Sequence, residues 1–270
     1  MSGQRPKVCV ITGFGINADE ELAHAFDMAG GASQRVHVTD LIAEPNLLAG
    51  FRILAFPGGF SFGDHLGSGK VFATLFRRNL GAEMAGFVAR GGLVVGICNG
   101  FQVLVKMGLL PNLGGTTAQE VSLIHNDSGK YEDRWVTVSF DQGSRCVWTR
   151  GLHQMDLPVR HGEGKFITRS PELLSELAAR GLVAVRYSSV SGEPKYPENP
   201  NGSEGHVAGI CDPTGRVFGL MPHPEAFIHA ENHPDWTARP LTEGEGLRIF
   251  ANGVRAASSD PPAGSAAHLA

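Results

Sequence analysis

Along the first hundred residues, short apolar runs alternate with segments of helical period. Lys7 to Thr12 reads as a buried strand, and Asn17 with Glu20 three residues on has the form of a capping box for a helix carrying Leu22, Phe26 and Ala29 on one face. Gln34 to Val38 and Phe51 to Phe56 read as further strands, the second ending in Pro57-Gly58-Gly59-Phe60. Val71 to Arg90 reads as a helix with a break near Gly81. Leu93 to Ile97, mostly β-branched and preceded by Gly91 and Gly92, reads as a fourth strand. Phe101, Val103, Leu104 and Met107 then take the spacing of an apolar helical face that Gly108 ends. This alternation predicts right-handed βαβ units and a mostly parallel sheet flanked by helices, with ligands bound beyond the carboxyl ends of its strands.

The pattern changes afterwards. Thr116 to Ile124, Trp135 to Phe140, Cys146 to Trp148, Leu182 to Tyr187, Val207 to Ile210 and Val217 to Leu220 read as strands, mostly without helices between them. One helix interrupts them, Pro171 to Arg180, with Ser170 as its cap. The second half is therefore expected to form a smaller antiparallel extension of the same sheet, giving one domain over residues 1–257. Ser188 to Gly205 is a polar loop rich in Pro, Gly and Asn, long enough to be functional. A last helix is expected from Glu243 to Ala257, and residues 258–270, rich in Pro, Ser and Ala, are expected to be a disordered tail.

Composition narrows the classes. A net charge of -4 without any basic run gives no electrostatic case for nucleic acid or an anionic membrane, and no stretch approaches a membrane span. Cys9, Cys98, Cys146 and Cys211 lie far apart and form no metal-ligand spacing, which fits a reducing, cytoplasmic setting and predicts no bound metal. The sequons at Asn126 and Asn201 then read as chance matches. Glycine, 36 of 270 residues, points to many tight loops.

One of these loops carries the chemistry. Gly96-Ile-Cys98-Asn-Gly100 places a cysteine at a strand-to-helix turn, the pattern of a nucleophile elbow with sulfur in place of the serine oxygen. Glycines on either side let the chain turn sharply and leave room for substrate, and the following helix N-terminus favours thiolate. The competing reading is a buried, inert cysteine. A cysteine nucleophile needs a base and a group to orient it. His223, in Met221-Pro-His-Pro-Glu225 after the strand ending at Leu220, stands where a parallel-sheet site would be, with Glu225 close enough to orient it. Asn99 N–H and an N–H of Gly58 or Gly59 are candidate oxyanion donors. His161, in His161-Gly-Glu-Gly164, reads as a loop histidine near the mouth, with a second catalytic role as the alternative; His65, His125 and His206 carry no pattern. Gly67-Ser-Gly-Lys70 fails as a phosphate loop, because Asp64 and Val71 stand where glycine and Ser or Thr are required.

Together, Pro-Gly-Gly-Phe (57 to 60), Gly-Ile-Cys-Asn-Gly-Phe-Gln (96 to 102) and His-Pro-Glu (223 to 225) resemble the class I (triad) glutamine amidotransferases, of flavodoxin-like α/β fold. Gly-Gly-Phe-Ser-Phe-Gly-Asp (58 to 64), Arg-Trp-Val (134 to 136), His-Gly-Glu-Gly (161 to 164) and Tyr-Pro-Glu-Asn-Pro-Asn-Gly-Ser (196 to 203) narrow the resemblance to the glutaminase subunits of phosphoribosylformylglycinamidine synthase. The resemblance implies that Cys98 attacks the amide of L-glutamine, His223 moves protons, Glu225 orients His223 and Gln102 helps hold the substrate. It also implies no cofactor in this chain. ATP and Mg²⁺ are expected on a partner synthetase subunit, with a small accessory subunit as a further partner.

Some positions depart from the family pattern: Phe62 where tyrosine is common, His65-Leu-Gly67 where Tyr-Leu-Arg is common, Ala226 in place of arginine, and a longer segment after Phe227. These concern partner contacts, not the triad. The alternatives are an amidotransferase for another acceptor, a DJ-1-like cysteine hydrolase and a catalytically dead subunit; the loops at 134 and 196, and the pair at 223 and 225, argue against them.

Overall fold

The computed structural model describes residues 5–259. Five strands, β1 (Lys7–Thr12), β2 (Ala32–His37), β3 (Ile53–Phe56), β4 (Leu93–Ile97) and β11 (Val217–Leu220), form a parallel array in the order β2-β1-β3-β4-β11. The same sheet continues antiparallel through β10 (Val207–Cys211), β9 (Val183–Tyr187), β6 (Glu132–Phe140) and β7 (Gln154–His161). A separate pair, β5 (Val121–His125) and β8 (Glu163–Thr168), lies outside it. The expected α/β fold with a smaller antiparallel extension is the fold observed. β3 and β4 are buried at every position, as strands covered on both faces require.

Two groups of helices pack against the sheet. α1 (Asp19–Met28) packs with α6 (Leu247–Ser259), where Phe26 meets Phe250 edge-on at 5.0 Å between ring centroids. α2 (Val38–Ala43), α3 (Lys70–Ala89) and α4 (Asn99–Lys106) pack together. α5 (Pro171–Ala179) precedes β9, and its Ser170 cap is present, the hydroxyl accepting from Leu173 N at 3.4 Å. No described helix is long and apolar enough to cross a membrane.

Several local expectations are corrected. α3 runs unbroken through Gly81: buried Phe72, Phe76, Leu80, Met84 and Phe87 form a stripe at helical spacing that outweighs the roughly 1 kcal/mol cost of one glycine. α1 has no side-chain cap; the backbone amides of Asn17 and Ala18 donate to the Gly58 carbonyl instead, and Glu20 turns to Arg35. The segment read as a strand at Cys146 to Trp148 is a 3₁₀ turn over Val147–Thr149. β7 and β8 are strands that the apolar pattern did not give. Pro158 is tolerated because β7 is the sheet edge, where a missing N–H breaks no ladder. β5 starts at Val121, and α6 at Leu247 rather than Glu243. Of the expected tail, Ser258 and Ser259 close α6, their hydroxyls donating to Val254 O and Arg255 O; residues 260–270 lie outside the described residues.

Candidate active site

Three neighbouring parallel strands end at one place. β3 runs into Pro57-Gly58-Gly59, β4 into Cys98 and β11 into Met221-Pro222-His223. Cys98 caps α4 with φ 50° and ψ -106°, a backbone that L-residues avoid, and its N–H donates to Leu220 O at 2.8 Å. The flanking glycines serve this turn by close approach. A Cβ on Gly96 would lie 2.6 Å from the Gly100 carbonyl carbon, and one on Gly100 would strike the Phe56 carbonyl. They make room for backbone rather than, as the sequence suggested, for substrate.

The edge strand β7 reaches these ends. Pro158 O accepts from His223 N at 2.8 Å, and the Cys98 thiol donates to Arg160 O at 3.6 Å. The antiparallel half thus meets the carboxyl edge of the parallel half at the site.

His223 and Glu225 are both buried, with His223 Nδ1 2.6 Å from Glu225 Oε1. Burial alone pushes the imidazolium down. The Glu225 carboxylate and then the neighbouring Cys98 sulfur outweigh it, holding His223 up at about 10. His223 Nε2 has no hydrogen-bond partner among the described residues and remains free for the sulfur. A Cβ on Gly58 would sit 2.8 Å from His223 Cε1 and 3.6 Å from Cys98 Cβ, so only a glycine fits between nucleophile and base.

The amides of Gly58, Gly59 and Asn99 make no backbone hydrogen bond among the described residues, whereas Phe60 N is taken by Gly15 O at 2.7 Å. Asn99 N–H and either glycine N–H are thus left available to an oxyanion. Gln102 is placed differently from expectation. Its Oε1 accepts from Asn99 Nδ2 at 3.0 Å and its Nε2 donates to Glu163 O at 2.5 Å, while Asn99 Oδ1 accepts from Ser61 N at 3.3 Å. Both ends of the amide are engaged and it does not line the cavity holding Cys98. Gln102 ties α4, β8 and the 58–61 loop together.

His161 is a correction too. It ends β7, is buried, and its Nε2 lies 3.1 Å from Asn201 Nδ2. Burial first, and the His223 charge second, push it down to about 3, so it is neutral and cannot act as a general acid near neutral pH. The polar loop over 188–205 reaches inward here: Asn201 Nδ2 also contacts Tyr187 OH at 3.0 Å. Asn126 and Asn201, the two sequon asparagines, are buried with their amide nitrogens donating inside the fold. Two family-specific segments meet where Arg134 donates to Tyr196 OH at 2.9 Å. In the segment resembling a phosphate loop, Ser68 N donates to Glu163 Oε2 at 3.2 Å, so the protein's own carboxylate already takes an amide there.

The cavity has a volume of about 180 Å³ and is bounded by Cys98, His223 and Gly59 and also by Glu21, Tyr131 and Arg160. Sequence reasoning missed the last three. Their only signal is position, at the carboxyl edge of the sheet, since none sits in a chemical motif.

The family model for the CobB/CobQ-like glutamine amidotransferase domain matches residues 5–255. "Phosphoribosylformylglycinamidine synthase subunit PurQ" of Dehalococcoides mccartyi is 44% identical, over 92% of this chain and 96% of that protein. The chain belongs to the PurQ family of glutamine amidotransferases. A PurQ of Methanococcus maripaludis is 41% identical over 92% of this chain and 96% of its own. The PurQ fold is matched in "Structure of PurLQS from Thermotoga maritima", with a TM-score of 0.71, 28% identity, and 93% of this chain and 99% of that one covered.

Proposed function

We propose that Cys98, His223 and Glu225 form a catalytic triad that hydrolyses L-glutamine. What carries the reading is the convergence around Gly58: a strained elbow sulfur and a histidine whose imidazolium form is stabilised by its own carboxylate, in one cavity. His223 takes the thiol proton through Nε2 while Glu225 keeps Nδ1 engaged. The thiolate attacks the amide carbon of glutamine, and charge gathers on its oxygen, which Asn99 N–H and an N–H of Gly58 or Gly59 face. The imidazolium returns the proton to the leaving nitrogen, and ammonia departs from a γ-glutamyl thioester. Water, deprotonated by His223, then attacks the thioester carbon; glutamate leaves and the sulfur is restored.

The chain acts as the glutaminase subunit of phosphoribosylformylglycinamidine synthase in de novo purine biosynthesis. Its ammonia serves a synthetase subunit that binds ATP, Mg²⁺ and formylglycinamide ribonucleotide and forms the amidine, with a small accessory subunit completing the complex. Support comes from the PurQ relatives and from the structural match to the Thermotoga PurLQS assembly. Four free, buried cysteines suit a reducing cytoplasm.

The test is amidine formation by the matching synthetase with ATP and either glutamine or ammonia. We expect this chain to be required with glutamine and dispensable with ammonia, and Cys98→Ala to lose only the glutamine reaction. Glutamine hydrolysis without amidine would assign the chain to another acceptor.

A further inference from the structure

We infer that Glu21 and Arg160 form a subsite for the charged head of a free α-amino acid, Glu21 taking the ammonium and Arg160 the carboxylate. The inference rests on the glutaminase reading and adds what selects the substrate.

The cavity is graded in depth. Cys98 and His223 are buried, whereas Glu21, Arg160 and Tyr131 are partly exposed at the outer end. A ligand whose amide reaches the sulfur therefore lays its other end between Glu21 and Arg160. Arg160 is rooted beside the nucleophile, since its own carbonyl accepts from the Cys98 thiol, so its guanidinium reaches outward from the reacting atoms. Glu21 is fixed in the same frame, because the amides of Asn17 and Ala18, just before α1, are both held on the Gly58 carbonyl at 3.4 Å.

Among the acids of the first turn of α1, Asp19 and Glu20 are both engaged by Arg35, at 3.1 and 2.7 Å. Glu21 instead faces the cavity. Its Oε2 forms an ion pair with Arg160 Nη1 at 3.7 Å, too far for a hydrogen bond, and neither side chain makes a hydrogen bond among the described residues. A zwitterion offers each group its opposite: a carboxylate suited to the planar fork of arginine and an ammonium suited to a carboxylate. Glutamine within a peptide, or a simple amide, lacks one or both charges and would leave a site charge unpaired. That is how a site of this kind rejects analogues.

The test uses the chain assembled with its synthetase and accessory partners. Steady-state hydrolysis is measured for glutamine, for glutaramate, which lacks the ammonium, and for 4-aminobutanamide, which lacks the carboxylate. We expect Glu21→Gln and Arg160→Gln to raise KM for glutamine about 10- to 100-fold with a smaller change in kcat, as loss of one charge-assisted contact predicts. Glu21→Gln should lose most of the discrimination against glutaramate alone, Arg160→Gln that against 4-aminobutanamide alone, and Arg160→Lys should restore part of it. Cys98 alkylation by iodoacetamide, followed by mass spectrometry, should proceed at the wild-type rate in both variants. Unchanged KM and discrimination, or equal loss for all three substrates, would overturn the subsite and leave an ordinary surface ion pair. A wild-type Cys98 that takes iodoacetamide but is not protected by glutamine would instead sink the glutaminase reading, and the subsite with it.

Discussion

His223 Nδ1 lies 2.6 Å from Glu225 Oε1 inside the fold, while Nε2 of the same ring has no hydrogen-bond partner among the described residues. One nitrogen is fixed and the other is available. In Glu225→Gln the amide oxygen can still accept from Nδ1–H, so the ring keeps its place, but the charge stabilising imidazolium is gone. We expect kcat for glutamine to fall by on the order of 10² to 10⁴ with KM little changed, by analogy with other orienting carboxylates. Wild-type turnover in the assembled enzyme would remove Glu225 from the mechanism.

The same pair makes stability depend on pH. His223 is raised from 6.5 to about 10, burial being outweighed by Glu225 and Cys98, so its contribution is complete below pH 6.5 and lost as pH rises through 10. His161 runs the other way: lowered to about 3, mainly by burial, it contributes fully above 6.5 and loses that as pH falls toward 3. We expect the urea midpoint to decline from pH 7 to 10 in wild type and less steeply in Glu225→Gln. Parallel declines in the two proteins would show that the pair is not the cause.

The elbow and the histidine turn were legible in the sequence because each is local: a cysteine between glycines after a β-branched run, and a histidine between prolines after a strand. Strands β1 to β4 were legible for the same reason, since each carries its own period, whereas β11 was grouped with the antiparallel half and in fact pairs parallel with β4. What brings Arg160 to Cys98 was not legible. It depends on β7, which the apolar pattern did not give, and on the contact between that edge strand and the end of β4. The hydrogen bonds of Gln102 were not legible either, because an engaged and a substrate-facing amide look alike in a sequence; only the positions of Asn99 and Glu163 O distinguish them.

Cys98 holds φ 50° and ψ -106° with a Cβ attached, a conformation costing on the order of 1 to 3 kcal/mol. Cys98→Ala keeps the Cβ, and so keeps the strain, while Cys98→Gly relieves it. Both should be folded and inactive with glutamine. Despite the greater freedom of an unfolded glycine, the Gly variant should be more stable than the Ala variant by about 1 kcal/mol in urea unfolding. A less stable Gly variant would mean that the elbow is not strained.

Gln102 joins α4 to β8 through one hydrogen bond, to Glu163 O, and accepts a second from Asn99, which holds the loop at Ser61. Gln102→Ala leaves buried polar partners unmatched, which costs about 1 to 3 kcal/mol. We expect a lower unfolding midpoint and a kcat reduced several-fold through the loosened loop, with KM for glutamine within about twofold. A large rise in KM at unchanged stability would return Gln102 to the substrate.

Gly58 is the point at which fold and chemistry allow least latitude. A methyl group there would approach His223 Cε1 to 2.8 Å, closer than packed carbons come, and Cys98 Cβ to an ordinary 3.6 Å. The ring must yield, yet it is held from two sides, by Glu225 at Nδ1 and by Pro158 O at its own backbone N–H. Gly58→Ala therefore shifts the base relative to the sulfur or displaces the loop that carries the oxyanion donors. The packing cost should be modest, about 1 to 3 kcal/mol, whereas a misplacement of the order of an ångström at a reacting group costs about 10²-fold in rate. We expect glutamine-dependent amidine formation to fall by about that factor in Gly58→Ala, with ammonia-dependent formation by the same complex unchanged. Equal losses with both nitrogen donors would place the damage in assembly with the synthetase rather than in the geometry around His223.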